Sequence, residues 1–112
     1  MEREREEQLS RLQADLCQVL AEPTGLKLLS LLGERPRPVT ELVEATGERQ
    51  AKISQHLAIM RKLGIVRTER QGTEIHSPLT DLRSLEACCI TREVLLQQLM
   101  QQGSLAVPLV AT

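Results

Sequence analysis

The chain has 112 residues, a formal net charge of −1, 41% hydrophobic residues and no Phe, Trp or Tyr. This length corresponds to one domain, and the absence of aromatic side chains excludes the base-stacking surfaces that bind single-stranded nucleic acids. No apolar run of about 18 residues is present, as a membrane-spanning helix needs, and the charged stretch 1–7 is unlike a signal peptide. We therefore expect a cytoplasmic protein without a membrane segment.

The charges are unevenly distributed, and their distribution is more informative than their sum. Segment 48–71 holds six basic and two acidic residues, a net charge of +4, whereas the rest of the chain carries −5. A locally basic segment on an acidic chain favours contact with a polyanion such as DNA.

Apolar residues at helical spacing predict five helices, over residues 4–21, 23–33, 39–46, 49–63 and 82–102. Pro23 suits the first turn of the second helix. Gly33, Gly47 and Gly64 are predicted to end the second, third and fourth helices, and residues 34–38 form a loop.

The hydrophobic period changes after the fourth helix. Residues 65–70 predict a strand, Gln71-Gly72 a tight turn and residues 73–76 the returning strand. Thr80 or Asp81 is predicted to cap the last helix.

The predicted order is thus α-α-α-α-β-β-α, a mainly α fold with a small β-hairpin wing. A short helix, a tight turn and a longer helix followed by a hairpin is typical of a winged helix-turn-helix. We expect one domain over residues 1–102 and a flexible tail over residues 103–112.

The fourth helix has two different faces at about 100° per residue. Ile53, Leu57, Met60 and Leu63 are predicted to face the core, and the opposite face is small or polar at its N-terminal end and basic at its far end. Small and amide side chains can approach base edges in the major groove, and cations can bind phosphates. The predicted DNA-binding residues of the helix and the wing are Gln50, Ala51, Lys52, Ser54, Gln55, Arg61, Lys62, Arg67, Arg70, Gln71 and Gly72.

Two histidines are candidates for a ligand role, but packing explains both better. His56 lies at the edge of the apolar face of the fourth helix. His76, on the returning strand, has no Cys, Asp or His at ligand spacing. Both are predicted to be structural.

Two runs carry a resemblance to a known family. Residues 21–29, AEPTGLKLL, and residues 53–57, ISQHL, followed by LGIV at 63–66, resemble the second helix and the recognition helix of ArsR/SmtB repressors. The resemblance covers about residues 12–99. It implies a homodimer paired through the first and last helices, binding to an imperfect palindrome in double-stranded DNA, and release when an effector binds.

The sequence departs from the family pattern in several places. Gly25 stands where the family usually has Arg, and the aromatic residues common after the wing are missing. The third helix has no cysteine and the last helix has no histidine. Neither usual metal site of the family therefore carries over, and we do not expect a zinc, nickel or cobalt sensor.

Three cysteines remain, Cys17 on the first helix and Cys88 and Cys89 on the last. They can be small hydrophobic packing residues. They can also form a thiol switch, either as a three-thiolate site for a thiophilic ion such as a trivalent arsenical or as a Cys17–Cys88 disulfide or polysulfide bridge. The resemblance supports the switch, because some ArsR-like proteins pair a first-helix with a last-helix cysteine. No cofactor is required.

The sequence therefore predicts a DNA-binding transcriptional regulator, a repressor by resemblance, that responds to a thiol-reactive signal. It lacks a Ser/His/Asp set, a phosphate-binding glycine loop and a zinc motif, so we do not expect an enzyme. The alternative is a winged-helix protein-interaction module with structural cysteines and no effector.

Overall fold

The computed structural model describes residues 1–103. Five helices and one hairpin follow one another in the predicted order α-α-α-α-β-β-α. They are α1 (Glu2–Leu20), α2 (Pro23–Glu34), α3 (Val39–Thr46), α4 (Gln50–Lys62), β1 (Glu69–Gln71), β2 (Glu74–His76) and α5 (Arg83–Gln101). The chain divides into two compact units, Met1–Leu82 and a second that begins at Arg83. The predicted tail, apart from Gly103, lies outside the described residues.

The end of α2 differs from the prediction. Gly33 lies inside the helix, which continues to Glu34, and Arg35 then adopts an extended backbone with φ −170° and ψ 160°. The cause is Pro36, because a proline disfavours the helical conformation of the residue before it. A glycine weakens a helix but does not by itself end one. At the end of α3 the prediction is confirmed, since Gly47 takes the left-handed conformation with φ 73° and donates its N–H to Val43.

The core of the first unit is aliphatic, as expected for a chain without aromatic residues. Its fully buried side chains come from α2, α3, α4 and the segment after α4. They are Leu28, Leu29, Leu42, Ile53, Leu57, Met60 and Val66. Each contributes roughly 1.5–3 kcal/mol of transfer free energy when it is withdrawn from water. This core fixes α4 through one face and leaves its opposite face in solvent.

The wing is a two-stranded antiparallel hairpin in which Glu69 pairs with His76 and Gln71 with Glu74. The predicted first strand, 65–70, is interrupted. Val66 forms an isolated bridge with Leu79, in the same register as the hairpin. Pro78 accepts a hydrogen bond from Arg67 but has no N–H to return, which breaks the ladder.

Near the wing, one contact differs from the prediction and another was not predicted. The Thr80 hydroxyl does not cap α5 but donates to the carbonyl oxygens of Gly64 and Ile65. Capping by Asp81 stays a prediction. Pro38, just before α3, forms a bridge with His76, so the base of the wing is connected to the start of the helix-turn-helix.

Helices α1 and α5 expose apolar side chains in the single chain. Val19 is the one buried residue of α1, and Leu9 and Leu12 of that helix are exposed. No residue of α5 is buried, and Ile90 and Val94 are 61% and 53% exposed. Such faces are typical of helices that pack against a second subunit. Within residues 1–103, no helix combines the length and apolarity needed to cross a membrane.

Candidate DNA-binding surface

The helix-turn-helix consists of α3, the turn 47–49 and α4. Ile53, Leu57 and Met60 of α4 are buried, as predicted, and Leu63 just after the helix is half-buried. This anchoring turns the opposite face of α4 outward.

The predicted base-reading residues lie together on that outward face. Gln50, Ala51, Ser54 and Gln55 are all exposed. They occupy the first two turns of α4, and Gln50 is its first residue. The N-terminal residues of a recognition helix are those that reach base edges. Their position therefore fits the predicted role, which stays a prediction.

The predicted phosphate-binding cations fall into two groups. Arg61, Lys62 and Arg70 are exposed, and within residues 1–103 no carboxylate lies within ion-pair distance of them. Arg67, by contrast, pairs with Glu69 at 3.4 Å, and Lys52 is paired twice. The first group is available for phosphate without breaking an ion pair.

Arg49 is a further candidate for binding phosphate that the sequence analysis did not name as a site residue. It is exposed and is the N-cap residue of α4, and among the described residues it has no ion-pair partner. Its position at the start of the predicted helix 49–63 was the available signal, but Arg49 was counted only as part of the basic segment.

The wing carries the remaining predicted residues at its tip. Gly72 takes a positive φ of 64°, a conformation that favours glycine and permits the tight turn. Gln71 donates its side-chain amide to Glu69 at 2.8 Å, and Arg70 is exposed opposite Ile75. The tip is therefore short, polar and free to approach a DNA backbone.

A cluster of polar side chains connects the start of α2 with the N-terminal half of α4. We call it the α2–α4 polar cluster, and it consists of Glu22, Thr24, Glu48, Lys52 and His56. Glu22 Oε2 lies 3.4 Å from His56 Nε2 and 3.6 Å from Lys52 Nζ. Glu48 Oε1 lies 3.8 Å from Lys52 Nζ and accepts a hydrogen bond of 3.2 Å from Thr24. His56 Nδ1 donates to the Lys52 carbonyl at 3.0 Å. His56 is thus a packed histidine, as predicted.

Glu22 and His56 also line an open cavity of about 530 Å³, together with Leu12, Asp15 and Ile59 among others. The cavity is lined by residues of α1 and of α4. Its polar lining includes Glu22, whose carboxylate also contacts Lys52 and His56 of α4.

His76 is buried at the base of the wing. Neither ring nitrogen has a hydrogen-bond partner among residues 1–103, although Glu74 Oε1 lies 3.5 Å from Nε2. The predicted structural role fits this burial and the bridge to Pro38.

A second ion cluster joins the end of α2 to α3. Arg35 and Arg37 both pair with Glu41, and Arg37 also pairs with Glu34 at 2.5 Å. The hydrogen bond from Arg35 and the charges of both arginines hold the pKa of Glu41 below its ordinary value. This cluster fixes the loop that precedes the helix-turn-helix.

The three cysteines are thiols on α1 and α5. Cys17 and Cys89 are exposed and Cys88 is partly exposed. Within residues 1–103, no three His, Cys, Asp or Glu side chains are grouped so that they could hold a metal ion.

Comparison with known proteins identifies the family. The family model described as "Bacterial regulatory protein, arsR family" matches residues 22–68 of this chain. The chain is 41% identical over 68 residues to the transcriptional regulator NmtR of Mycobacterium tuberculosis, covering 61% of this chain and 57% of NmtR. It is 32% identical over 90 residues to the regulator Rv0081 of the same organism, covering 80% of this chain and 79% of Rv0081.

Solved structures agree. The crystal structure of Rv0081 matches with a TM-score of 0.74 and 30% identity over 84% of this chain and 95% of that chain. The repressor BigR from Xylella fastidiosa matches with a TM-score of 0.66 and 31% identity over 84% of this chain and 96% of that chain. The chain therefore belongs to the ArsR family of bacterial regulatory proteins, which are DNA-binding transcription regulators with a winged helix-turn-helix fold.

Proposed function

We propose that this chain acts as a homodimeric, cytoplasmic repressor that releases its operator when a thiol-reactive signal modifies Cys17, Cys88 and Cys89. The observation that carries the proposal is the accessibility of the thiols, since Cys17 and Cys89 are exposed in the single chain. Cysteines that only pack a core are among the most buried residues. Accessible thiols can react with a signal molecule.

In the DNA-bound state, α4 lies in the major groove and the wing lies along the backbone. The exposed residues Gln50, Ser54 and Gln55 read base edges. Arg61 and Lys62, which pair with no carboxylate of the described chain, bind phosphates. Two copies related by a two-fold axis read the two halves of an imperfect palindrome.

The thiols lie on the same two helices that expose apolar faces in the single chain. Leu9 and Leu12 of α1 and Ile90 and Val94 of α5 are exposed, and dimerisation would bury them. A modification at Cys17 or at the Cys88-Cys89 pair changes the packing of these helices. Because the dimer sets the distance between two recognition helices, such a change lowers operator affinity.

Two chemistries remain open. In the first, a trivalent arsenical loses three hydroxyl groups as water to three thiols and forms three As–S bonds, with no change in oxidation state. In the second, two thiols lose two protons and two electrons to a polysulfide or peroxide and form a disulfide, which leaves the third thiol unreacted. A three-thiolate site needs all three cysteines, and because they are not grouped within residues 1–103 of one chain, we propose that they would meet where α1 and α5 pair in the dimer. A Cys17–Cys88 disulfide does not need Cys89.

The test is a fluorescence-anisotropy titration on a labelled duplex that spans the DNA just upstream of the coding sequence. It compares wild type, Cys17→Ser, Cys88→Ser and Cys89→Ser before and after arsenite or sodium tetrasulfide. We expect one reagent to lower the affinity of wild type and to have no effect on Cys17→Ser. Cys89→Ser distinguishes the chemistries, since it keeps the tetrasulfide response and loses the arsenite response.

A Cys17→Ser, Cys88→Ser double variant that still responds fully to both reagents would show that these thiols are not the sensor. Wild-type protein that binds no duplex in any redox state would instead favour the protein-interaction module, with the cysteines as packing residues.

A further inference from the structure

Lys52 was predicted to bind a phosphate, but its ammonium group is already paired. Nζ lies 3.6 Å from Glu22 Oε2 and 3.8 Å from Glu48 Oε1. The two carboxylates outnumber the one ammonium group, so the local charge is not positive. A phosphate that approaches this position meets net negative charge.

Glu22 is the residue on which these contacts converge. It is the N-cap of α2, and its Oε2 atom lies at ion-pair distance from Lys52 Nζ and 3.4 Å from His56 Nε2, a contact that is an ion pair when the ring is protonated. His56 in turn donates to the carbonyl oxygen of Lys52. One carboxylate at the start of α2 therefore contacts two side chains of α4 that are themselves connected through the helix backbone.

Glu48 makes a second connection between α2 and α4 within the α2–α4 polar cluster. Glu48 lies just before α4, pairs with Lys52 and accepts the hydroxyl of Thr24, which is buried in the first turn of α2. Glu22 and Thr24 on one helix and Glu48 and Lys52 at the start of the other thus form a closed set of contacts. It spans the two helix N-termini.

The contacts of Lys52 lie at the end of α4 that carries the proposed base-reading residues. Lys52 is the third residue of α4, and Gln50, Ser54 and Gln55 flank it on the base-reading face. Rotation or displacement of this first turn would misplace those side chains. The far end of α4, with Arg61 and Lys62, has no such cluster among the residues described.

We propose that Glu22 is a positioning residue that fixes the base-reading end of α4 through Lys52 and His56, and that Lys52 serves this role and does not bind phosphate. This rests on the proposed docking of α4 in the major groove. The two possible roles of Lys52 predict opposite changes in DNA affinity when the Glu22 carboxylate is removed. If Lys52 bound phosphate, removing its carboxylate partner would release it and tighten DNA binding.

The experiment measures affinity for the upstream duplex and for a scrambled duplex across a salt series, using Glu22→Gln and Lys52→Met. Glutamine has nearly the same shape and volume as glutamate, so Glu22→Gln removes the charge without a change in packing. Lys62→Met removes a cation of the proposed phosphate-binding group, and Lys27→Met removes an exposed lysine of α2 outside the interface.

We expect Glu22→Gln and Lys52→Met each to reduce the preference for the upstream duplex roughly 3- to 10-fold, with the slope of log K against log salt unchanged. Lys62→Met should lower that slope by about 0.9 per protomer and weaken both duplexes alike. Lys27→Met should change neither quantity. The proposal is overturned if Glu22→Gln tightens binding, or if Lys52→Met lowers the slope as Lys62→Met does.

A double-mutant cycle on urea unfolding gives a readout that does not need DNA. The Glu22→Gln, Lys52→Met double variant should lose less stability than the two single variants together, because both remove the same ion pair. Additive losses overturn the proposal. Wild-type protein that binds neither duplex would count against the proposed function, and this cycle would then decide the Glu22–Lys52 pairing alone.

Discussion

Gly25 and Val19 approach so closely that no side chain fits between them. Gly25 is buried in the first turn of α2, and a Cβ atom added there would overlap the carbonyl oxygen of Val19 at the end of α1. Val19 is the buried residue of α1, so this approach is the point at which α1 joins the core. The glycine that departs from the family pattern is therefore required by the packing of this chain.

Substitution of Gly25 should destabilise the fold. We expect Gly25→Ala to lower the free energy of unfolding by about 1–3 kcal/mol, the usual cost of overpacking a core, although alanine favours helix elsewhere. Urea unfolding followed by circular dichroism measures the change. The exposed Ser30 of α2 provides the control, because Ser30→Ala should stay within about 0.5 kcal/mol of wild type. A Gly25→Ala variant as stable as wild type would refute the close approach.

Loss of a base-reading side chain should relax sequence preference without changing salt sensitivity. Gln55 is exposed in the second turn of α4, where its amide can both donate and accept. We expect Gln55→Ala to cost about 1–3 kcal/mol at one position of the operator. Competition with single-base variants of the duplex identifies that position. Equal weakening on every variant would instead place Gln55 on the backbone.

Removal of a cation from the wing should change the salt dependence of DNA binding and leave the sequence preference unchanged. Arg70 is exposed on β1 and makes no ion pair within residues 1–103. Arg70→Met should weaken all duplexes alike and lower the salt slope by about 0.9 for each phosphate that is no longer neutralised. Arg67→Met serves as the comparison, since Arg67 already pairs with Glu69, and we expect its effect on the slope to be smaller. If Arg70→Met leaves the slope unchanged, the wing does not bind the backbone through this residue.

A charge on the exposed face of α5 should separate the subunits. Val94 is 53% exposed in the single chain, and Val94→Glu would place a carboxylate where dimerisation buries apolar surface. Light scattering after size-exclusion chromatography should show a lower mass for this variant. Ser30→Glu adds the same charge at an exposed position of α2 and should leave the mass unchanged. Dimers that persist in Val94→Glu would place the interface elsewhere.

The cluster around Glu41 makes stability depend on pH in a defined direction. Arg35 and Arg37 lower the pKa of Glu41 in the folded chain from its ordinary value of 4.5. A carboxyl with a depressed folded pKa contributes stability above its unfolded pKa and loses it as the pH falls through the folded value. Stability of wild type should therefore fall more steeply below about pH 4.5 than that of Glu41→Gln. Parallel pH profiles of unfolding for the two proteins would contradict this.

Most of the fold follows from local pattern. The helical spacing of aliphatic residues places α3 at Val39–Thr46 as predicted and identifies Ile53, Leu57 and Met60 as core. The predicted end of α2 was wrong because a nearby proline had more influence on the helix end than the glycine did. Pro36, and not Gly33, ends α2.

The contacts that the sequence did not reveal join residues far apart in the chain. The bridge between Pro38 and His76 and the overlap that excludes a Cβ at Gly25 depend on how elements meet, which periodicity does not encode. The same is true of the pairing of Lys52 with Glu22, 30 positions earlier. Helical angle places Lys52 beside the predicted DNA-binding face, but it does not show that the carboxylates of Glu22 and Glu48 lie beside its ammonium group.

The most direct test of thiol-controlled repression follows one sample of wild-type protein on the upstream and scrambled duplexes, first reduced, then treated with sodium tetrasulfide or arsenite, then reduced again. We expect the reduced protein to prefer the upstream duplex, with an affinity that falls steeply with salt. One reagent should abolish this preference, and a dithiol reductant should restore it. Operator binding that is equal in all three states would contradict a thiol-controlled repressor, and absence of sequence preference in the reduced state would contradict a specific DNA-binding function.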